Sequence, residues 1–230
     1  IGTDKLAVVV RRIREKIVSL GGEYRFENRL EDLIVRDGKL TGLKIAAPGG
    51  KIYEQPTDRL ILAVGHSARD TFEMLHKNGV YIEQKPFSVG VRIEHVQKSV
   101  DAAQYGRFAG HPALGAADYK LAAHFDNGRS AYTFCMCPGG MVVAAASEPG
   151  RVVTNGMSEF ARDGKNANAA LLVGVEPRDF GSAHPLAGMY FQRRLEEAAF
   201  RAGGGDYRAP AQLVGDFLKK QVSTAVGNVN

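Results

Sequence analysis

The sequence predicts a chain of two characters, an α/β portion over residues 1–83 and a mixed, largely antiparallel α+β portion over residues 84–230. Three stretches carry that expectation. Leu60, Ile61, Leu62, Ala63 and Val64 form a continuous apolar run, too short for an independent helix and suited to a strand buried on both faces of a parallel sheet. Gly65 then allows a sharp turn, and Ser67 with Asp70 stands at capping-box spacing, which starts a helix at about Ala68. The unit is strand, glycine turn and helix N-terminus. It offers free backbone N–H groups at the carboxyl end of a sheet, where α/β proteins bind ligands. The second stretch, Asp37-Gly38, is a two-residue turn between apolar runs, and the third, Asn127-Gly128, is another between strands of period two.

Taken from the start, Leu6, Val9, Val10, Ile13, Ile17 and Leu20 recur at three- and four-residue steps and make one apolar helix face. Thr3 is its expected N-cap and Gly21-Gly22 its stop. Tyr24–Asn28 reads as a short strand. Leu30–Arg36 and Lys39–Ile45 make the hairpin over Asp37-Gly38, and Ile52–Glu54 adds a third strand. After Gly79 the pattern changes. Phe87, Val89, Val91 and Ile93 alternate on a half-buried strand, a short helix runs from about Val96 to Gln104, and Tyr119, Leu121, Ala123 and Phe125 alternate again. Ser130–Cys137 returns across Asn127-Gly128, and Met141–Ala146 follows Pro138-Gly139-Gly140, so these strands are expected to form a meander. Asn155–Asn168 is polar and irregular, Ala169–Val175 is a buried-strand candidate, Pro185 sits in the first turn of a long helix and Pro210 opens another.

A 230-residue chain that is 44% hydrophobic can build one large core or two small ones. No apolar run is long enough to span a bilayer, and there is no signal-peptide pattern. The net charge of +5 is spread along the chain. Arg11, Arg12, Arg14 and Lys16 cluster on the polar side of the first helix without aromatic residues to stack bases, which favours a solvated face over a nucleic-acid site. Two cysteines imply no disulfide scaffold and fit a reducing, cytoplasmic setting. The chain opens on Ile1 rather than Met, so a longer parent protein is expected.

Cys135 and Cys137, two apart on a strand, are expected on one face, where both thiols meet a ligand or fill a core as small hydrophobes. A zinc site normally takes four ligands and there is no second cysteine pair, with His124 the nearest further candidate, so no metal is expected. A C-x-C disulfide would close a small, strained ring. His66, just past the glycine turn, is placed to donate a proton or to act as a structural hydrogen bonder. Arg69 and Arg92 are candidates for holding a phosphate or carboxylate, with plain surface roles as the alternative. No Ser–His–Asp order or HExxH motif supports a hydrolase.

Leu60–Gly65 followed by His66-Ser67-Ala68-Arg69-Asp70 resembles the second flavin-contacting segment of two-domain, glutathione-reductase-like FAD-dependent oxidoreductases, specifically the bacterial FAD-utilising dehydrogenases. Tyr132–Met141, Thr154–Ser158, Asn166-Ala-Asn168, Asp179-Phe180, Gln192-Arg193 and Ala209-Pro-Ala-Gln212 extend the resemblance across nearly the whole chain. It implies that 1–83 is the second half of a Rossmann-like FAD-binding domain with its β-meander, and that 84–230 is a substrate or cap domain. It implies FAD as cofactor, facing Gly65, His66, Ser67, Ala68 and Arg69 and also Pro138, Gly139 and Gly140. Cys135, Cys137 and His66 become catalytic candidates, NAD(P)H an electron donor and a small molecule the substrate. The GxGxxG fingerprint that grips the FAD pyrophosphate in such proteins occurs nowhere in this sequence. The resemblance therefore places the chain downstream of it, with the missing FAD-domain segments as partners and the exposed apolar run as a route to self-association. The rival expectations are a non-catalytic module binding a partner or RNA, and a thiol or metal protein built on Cys135 and Cys137.

Overall fold

The computed structural model describes residues 2–226. Helix α1 (Thr3–Ser19) forms where the apolar periodicity places it, but Gly2 is its N-cap and Thr3 its first residue. Gly2 is buried where a side chain would collide with the backbone of Phe160, and the Phe160 N–H donates to Asp4 Oδ1 at 2.8 Å. This anchors one end of the helix. The apolar face is largely uncovered among the described residues: no residue of α1 is buried, and Ile13 is 54% exposed.

Tyr24–Asn28 is not a strand. Glu27 takes a left-handed backbone (φ 56°) and the Asn28 side chain donates to the Phe26 carbonyl, so the segment turns instead of extending. The meander then follows as expected, with β1 (Arg29–Arg36), β2 (Lys39–Ala46) and β3 (Ile52–Pro56) antiparallel in that order. Asp37 and Gly38 both have positive φ, 50° and 72°, the backbone of a hairpin turn matched to the twist of its strands.

The run Leu60–Val64 departs from its expectation most. It belongs to no ladder among the described residues, and Ile61 is 92% exposed. A parallel strand is stable only with hydrogen-bonded neighbours and apolar cover on both faces, and the described residues supply neither. The turn at Gly65 (φ 68°) is present, and α2 (Arg69–Lys77) starts close to the expected place. The capping box does not form: Ala68 is the N-cap, Ser67 Oγ pairs with Ser147 Oγ, and Asp70 Oδ1 accepts from the N–H of Thr71. Asn78, just past α2, donates to Asp32 Oδ1 at 2.7 Å and ties the helix to β1.

Beyond residue 86 the strands find partners. β4 (Phe87–Val96), β5 (Ala122–His124), β6 (Ser130–Cys137) and β9 (Asn166–Val175) make an antiparallel sheet in the order β4-β9-β6-β5, while β7 (Gly140–Ala145) and β8 (Val153–Ser158) form a separate ribbon. The expected meander is thereby corrected. β6 has β5 on one edge and β9 on the other, so no edge remains for β7, and the turn at Pro138-Gly139 sends the chain into the ribbon. The polar stretch 155–168 contains most of β8 and the start of β9; Ala167 and Asn168 lie fully buried on the central strand. Ladder hydrogen bonds there override weak β-propensity.

Helix α3 (Gln97–Tyr105) packs at one end of the sheet, where Val100, Ala117 and Ala167 form a small core with Tyr119 and Met136. Helix α4 (Ala187–Ala202) covers the other end, and there Val175, Phe180 and Ala187 pack with Phe87, Val89 and Phe191. Leu186 is the N-cap of α4, so Pro185 lies just outside the helix rather than in its first turn. A short α5 (Val214–Leu218) follows. Among the described residues no helix is long and apolar enough to cross a membrane.

Candidate functional site

The glycine turn is built into a charge cluster that sequence spacing did not foreshadow. Arg69 opens α2 and is 1% exposed. Its guanidinium donates to Glu196 on α4 through both Nη atoms, at 2.8 and 2.5 Å, and to Glu148 at 2.7 Å. Arg193, one turn before Glu196, donates to both oxygens of Glu148 and, at 2.6 Å, to Glu73 on α2. Arg151 lies 3.7 Å from Glu148 and donates to Glu197. Elements more than 100 positions apart are thus stapled together.

Each group shifts in the direction its partners dictate. The hydrogen bonds to Glu196, set against burial, raise the affinity of Arg69 for its proton, with Glu148 adding to the effect. Arg193 and then Arg69 hold the Glu148 carboxyl down at about 2, against an opposing push from burial. A carboxylate bound by several guanidinium donors stays ionised because both the hydrogen bonds and the field favour its charge.

Arg69 was expected to face a cofactor. Its side chain is occupied by carboxylates, and its backbone N–H donates to the Ser67 carbonyl at 2.9 Å. What faces outward is Gly65, with nothing within 4 Å of the place a side chain would fill, followed by exposed His66 and Ser67 and half-buried Ala68. Ser67 Oγ lies 2.9 Å from Ser147 Oγ and 3.4 Å from His66 Nε2. The result is a stretch of open backbone with a hydroxyl and an imidazole at its rim.

The second expected face is arranged differently. Register along β6 slips between Phe134 and Cys137, which places one extra residue in the strand, and Cys135 takes a left-handed backbone (φ 47°) at that bulge. The period of two is broken there, so the cysteines do not share an environment: Cys135 is exposed and Cys137 buried. Burial pushes the Cys137 thiol up, an effect that nearby Arg92 opposes, and the thiol donates to the Cys135 carbonyl at 3.4 Å. His124 is bonded to Ser130 at the opposite end of β6. Among the described residues no three metal-ligating side chains converge.

Pro138 and Gly139 are buried, and Gly139 has φ 54° with its N–H donating to Gln97 Oε1 at 2.8 Å. A side chain on Gly139 would strike the backbone of Arg162, and one on Gly140 would strike the Met157 carbonyl. The close approach these glycines permit is therefore to the protein's own chain rather than to a ring. Arg92 donates to Asn168 Oδ1 and packs against Gly156. No hydrogen bond among the described residues joins the turn 65–69 to the segment 135–140.

Glu148, Glu196 and Ser147 were not singled out from sequence, and Arg193 entered only within the Gln192-Arg193 segment of the resemblance. Gln192 and Glu196 share a stripe one helical turn apart on α4, the one local hint that a polar face there is buried. A pairing across 127 positions leaves no spacing signal.

Fold and site define a mixed α/β chain whose glycine turn is clamped to an antiparallel C-terminal portion. Residues 86–230 match the family described as FAD-dependent protein, C-terminal domain-like, and the chain belongs to that family. It is 52% identical over 230 residues to an uncharacterized protein from Clostridium beijerinckii, a match that covers all of this chain and 42% of that protein. The chain thus spans less than half the length of that relative.

Proposed function

We propose that the chain is part of a FAD-dependent oxidoreductase, a dehydrogenase of the two-domain, glutathione-reductase-like kind, to which residues 1–83 contribute a portion of the flavin domain and 84–230 the substrate-side domain. The observation that carries this reading is the apolar run Leu60–Val64, unpaired among the described residues and exposed from Ile61 onward, leading directly into the open turn at Gly65. A run of that composition has the character of an interior parallel strand, and the uncovered face of α1 has the character of the helix that packs on one. Both are satisfied if further flavin-domain segments of the same protein, with the GxGxxG unit among them, complete the sheet.

Flavin, when bound, supplies the electron-accepting chemistry. The chain's own residues would hold and orient it: the backbone from Gly65 to Ala68 along one edge, with Ser67 and His66 offering a hydroxyl and a ring nitrogen. His66 is placed to hold or deliver a proton, and exposed Cys135 is the thiol a small-molecule substrate can reach. NAD(P)H is the electron donor of this reading.

The test compares the full-length protein with the isolated 230-residue chain. After addition of FAD and desalting, the full-length protein should keep a stoichiometric flavin with its visible bands. The isolated chain should bind at least about a hundredfold more weakly, since two lost charge-assisted hydrogen bonds at roughly 1.5 kcal/mol each already amount to that. A full-length protein that holds no flavin would overturn the reading. Stoichiometric FAD on the isolated chain would overturn the partial-site portion of it.

A further inference from the structure

The loop between β7 and β8 stands beside the glycine turn, and no sequence motif marked it. Ser147, half-buried, meets exposed Ser67 across 80 positions of sequence, hydroxyl to hydroxyl at 2.9 Å. The next residue, Glu148, receives Arg69 at 2.7 Å and Arg193 at 2.8 and 2.9 Å, with Arg151 at 3.7 Å. Joining α2 to α4 does not require that carboxylate. Arg69 reaches Glu196 directly, and Arg193 reaches Glu73 directly. What Glu148 adds is a fixed place for a surface loop containing Pro149 and Gly150, the kind of segment that otherwise has the most freedom.

We propose that Ser147 is a cofactor-site residue, paired with Ser67 so that one free hydroxyl proton and the remaining lone pairs face the flavin dinucleotide, and that Glu148 is the positioning residue that keeps it there. The inference rests on the flavin reading of the turn. Each hydroxyl has one proton and two acceptor sites, so in the pair one proton is used internally and one remains to donate. A carbonyl or phosphate oxygen of FAD accepts such a proton. The hydroxyls are held in place by an ion network that is already formed, so binding costs little ordering of the loop.

The experiment uses the full-length protein with its flavin. Ser67→Ala, Ser147→Ala and the double variant are compared for flavin affinity by fluorescence titration, for the shape of the visible bands and for thermal unfolding. Each single change should weaken FAD binding roughly three- to tenfold, the loss of about one hydrogen bond, with the double variant no worse than either because the pair acts together. A shifted visible band alongside the loss locates the contact at the ring. An unshifted band locates it at the ribityl-diphosphate chain. Either result supports the inference. Glu148→Gln should reproduce the Ser147→Ala loss in affinity. If it fails to fold, the serine variants, at the surface, still decide. Flavin bound by Ser147→Ala with unchanged affinity and spectrum would overturn this inference alone, whereas wild-type protein without flavin would overturn the proposed function with it.

Discussion

The two parts of the chain contain the same kinds of signal and use them differently. In residues 87–202, alternation and turn residues yield strands with partners, and aromatic side chains meet beneath α4: Phe87 and Phe180 stack at 5.1 Å, with Phe191 at 5.8 Å from Phe180. In residues 2–77, an equally periodic helix face and a still more apolar run remain on the surface. Periodicity says which face of an element favours burial, and it is silent on what does the burying. Where the covering strand lies within the chain, as β9 does for β4 and β6, the expectation and the structure agree. Where the described residues offer no such strand, the element forms alone or stays unpaired.

That contrast can be broken most directly at Phe180, which is 2% exposed. Phe180→Ala should cost about 3–5 kcal/mol, since it removes a buried ring and leaves a cavity between Phe87 and Phe191. Urea unfolding of the isolated chain is the measurement. A loss below about 1 kcal/mol would mean that this region is no better packed than α1.

The clamp between the two parts should weaken with acid. Glu148 titrates at about 2 in the fold against an ordinary 4.5, so its contribution to stability is fully present above the ordinary value and is lost as pH falls through the folded one. Asp179, held at about 2 by Arg129 beside β9, acts in the same direction. Stability should therefore be flat near neutral pH and decline between about pH 4.5 and about pH 2. In Glu148→Gln the decline should be shallower, because one of the two carboxylates no longer titrates. An unchanged profile would show that the Glu148 carboxylate does not couple to folding.

The thiols refine the comparison within the better-packed part. Spacing put Cys135 and Cys137 on one face, whereas the bulge separates them, so a thiol reagent should label Cys135 in the folded chain and reach Cys137 only on denaturation. Peptide mapping after a short exposure distinguishes the two; equal labelling would contradict the bulge. Asp37-Gly38 was legible because the turn is local and its backbone demands those residues, and both show positive φ. A bulge at Cys135 has no such marker, because cysteine does not favour the left-handed region that the strand imposes on it. The strand β9 was half seen, at Ala169–Val175, since its first residues are polar and gain their place from ladder partners far along the chain. The Arg69 cluster was unreadable for the same reason: its members come from α2, the β7–β8 loop and α4, and only folding brings them within 3 Å.

The smallest effect is expected on α1, and it bears on the comparison from the other side. Ile13 is more than half exposed in this structure, and burial contributes to stability in proportion to the area removed from water. Ile13→Ser in the isolated chain should therefore change unfolding stability by no more than about 0.5 kcal/mol, the range of ordinary surface substitutions. The same change should reduce concentration-dependent association in sedimentation, because Leu6, Val10, Ile13 and Ile17 together form the kind of apolar strip through which exposed helices aggregate. In the full-length protein the size of the stability loss distinguishes a covered helix face from an exposed one. If flavin-domain segments cover that face, Ile13→Ser buries an unpaired hydroxyl and forfeits an apolar contact, and the loss should rise to about 2 kcal/mol or more. A full-length protein as indifferent to Ile13→Ser as the isolated chain would mean that the helix face is solvent-exposed in both. The exposed face of α1 would then cease to support a completed flavin domain.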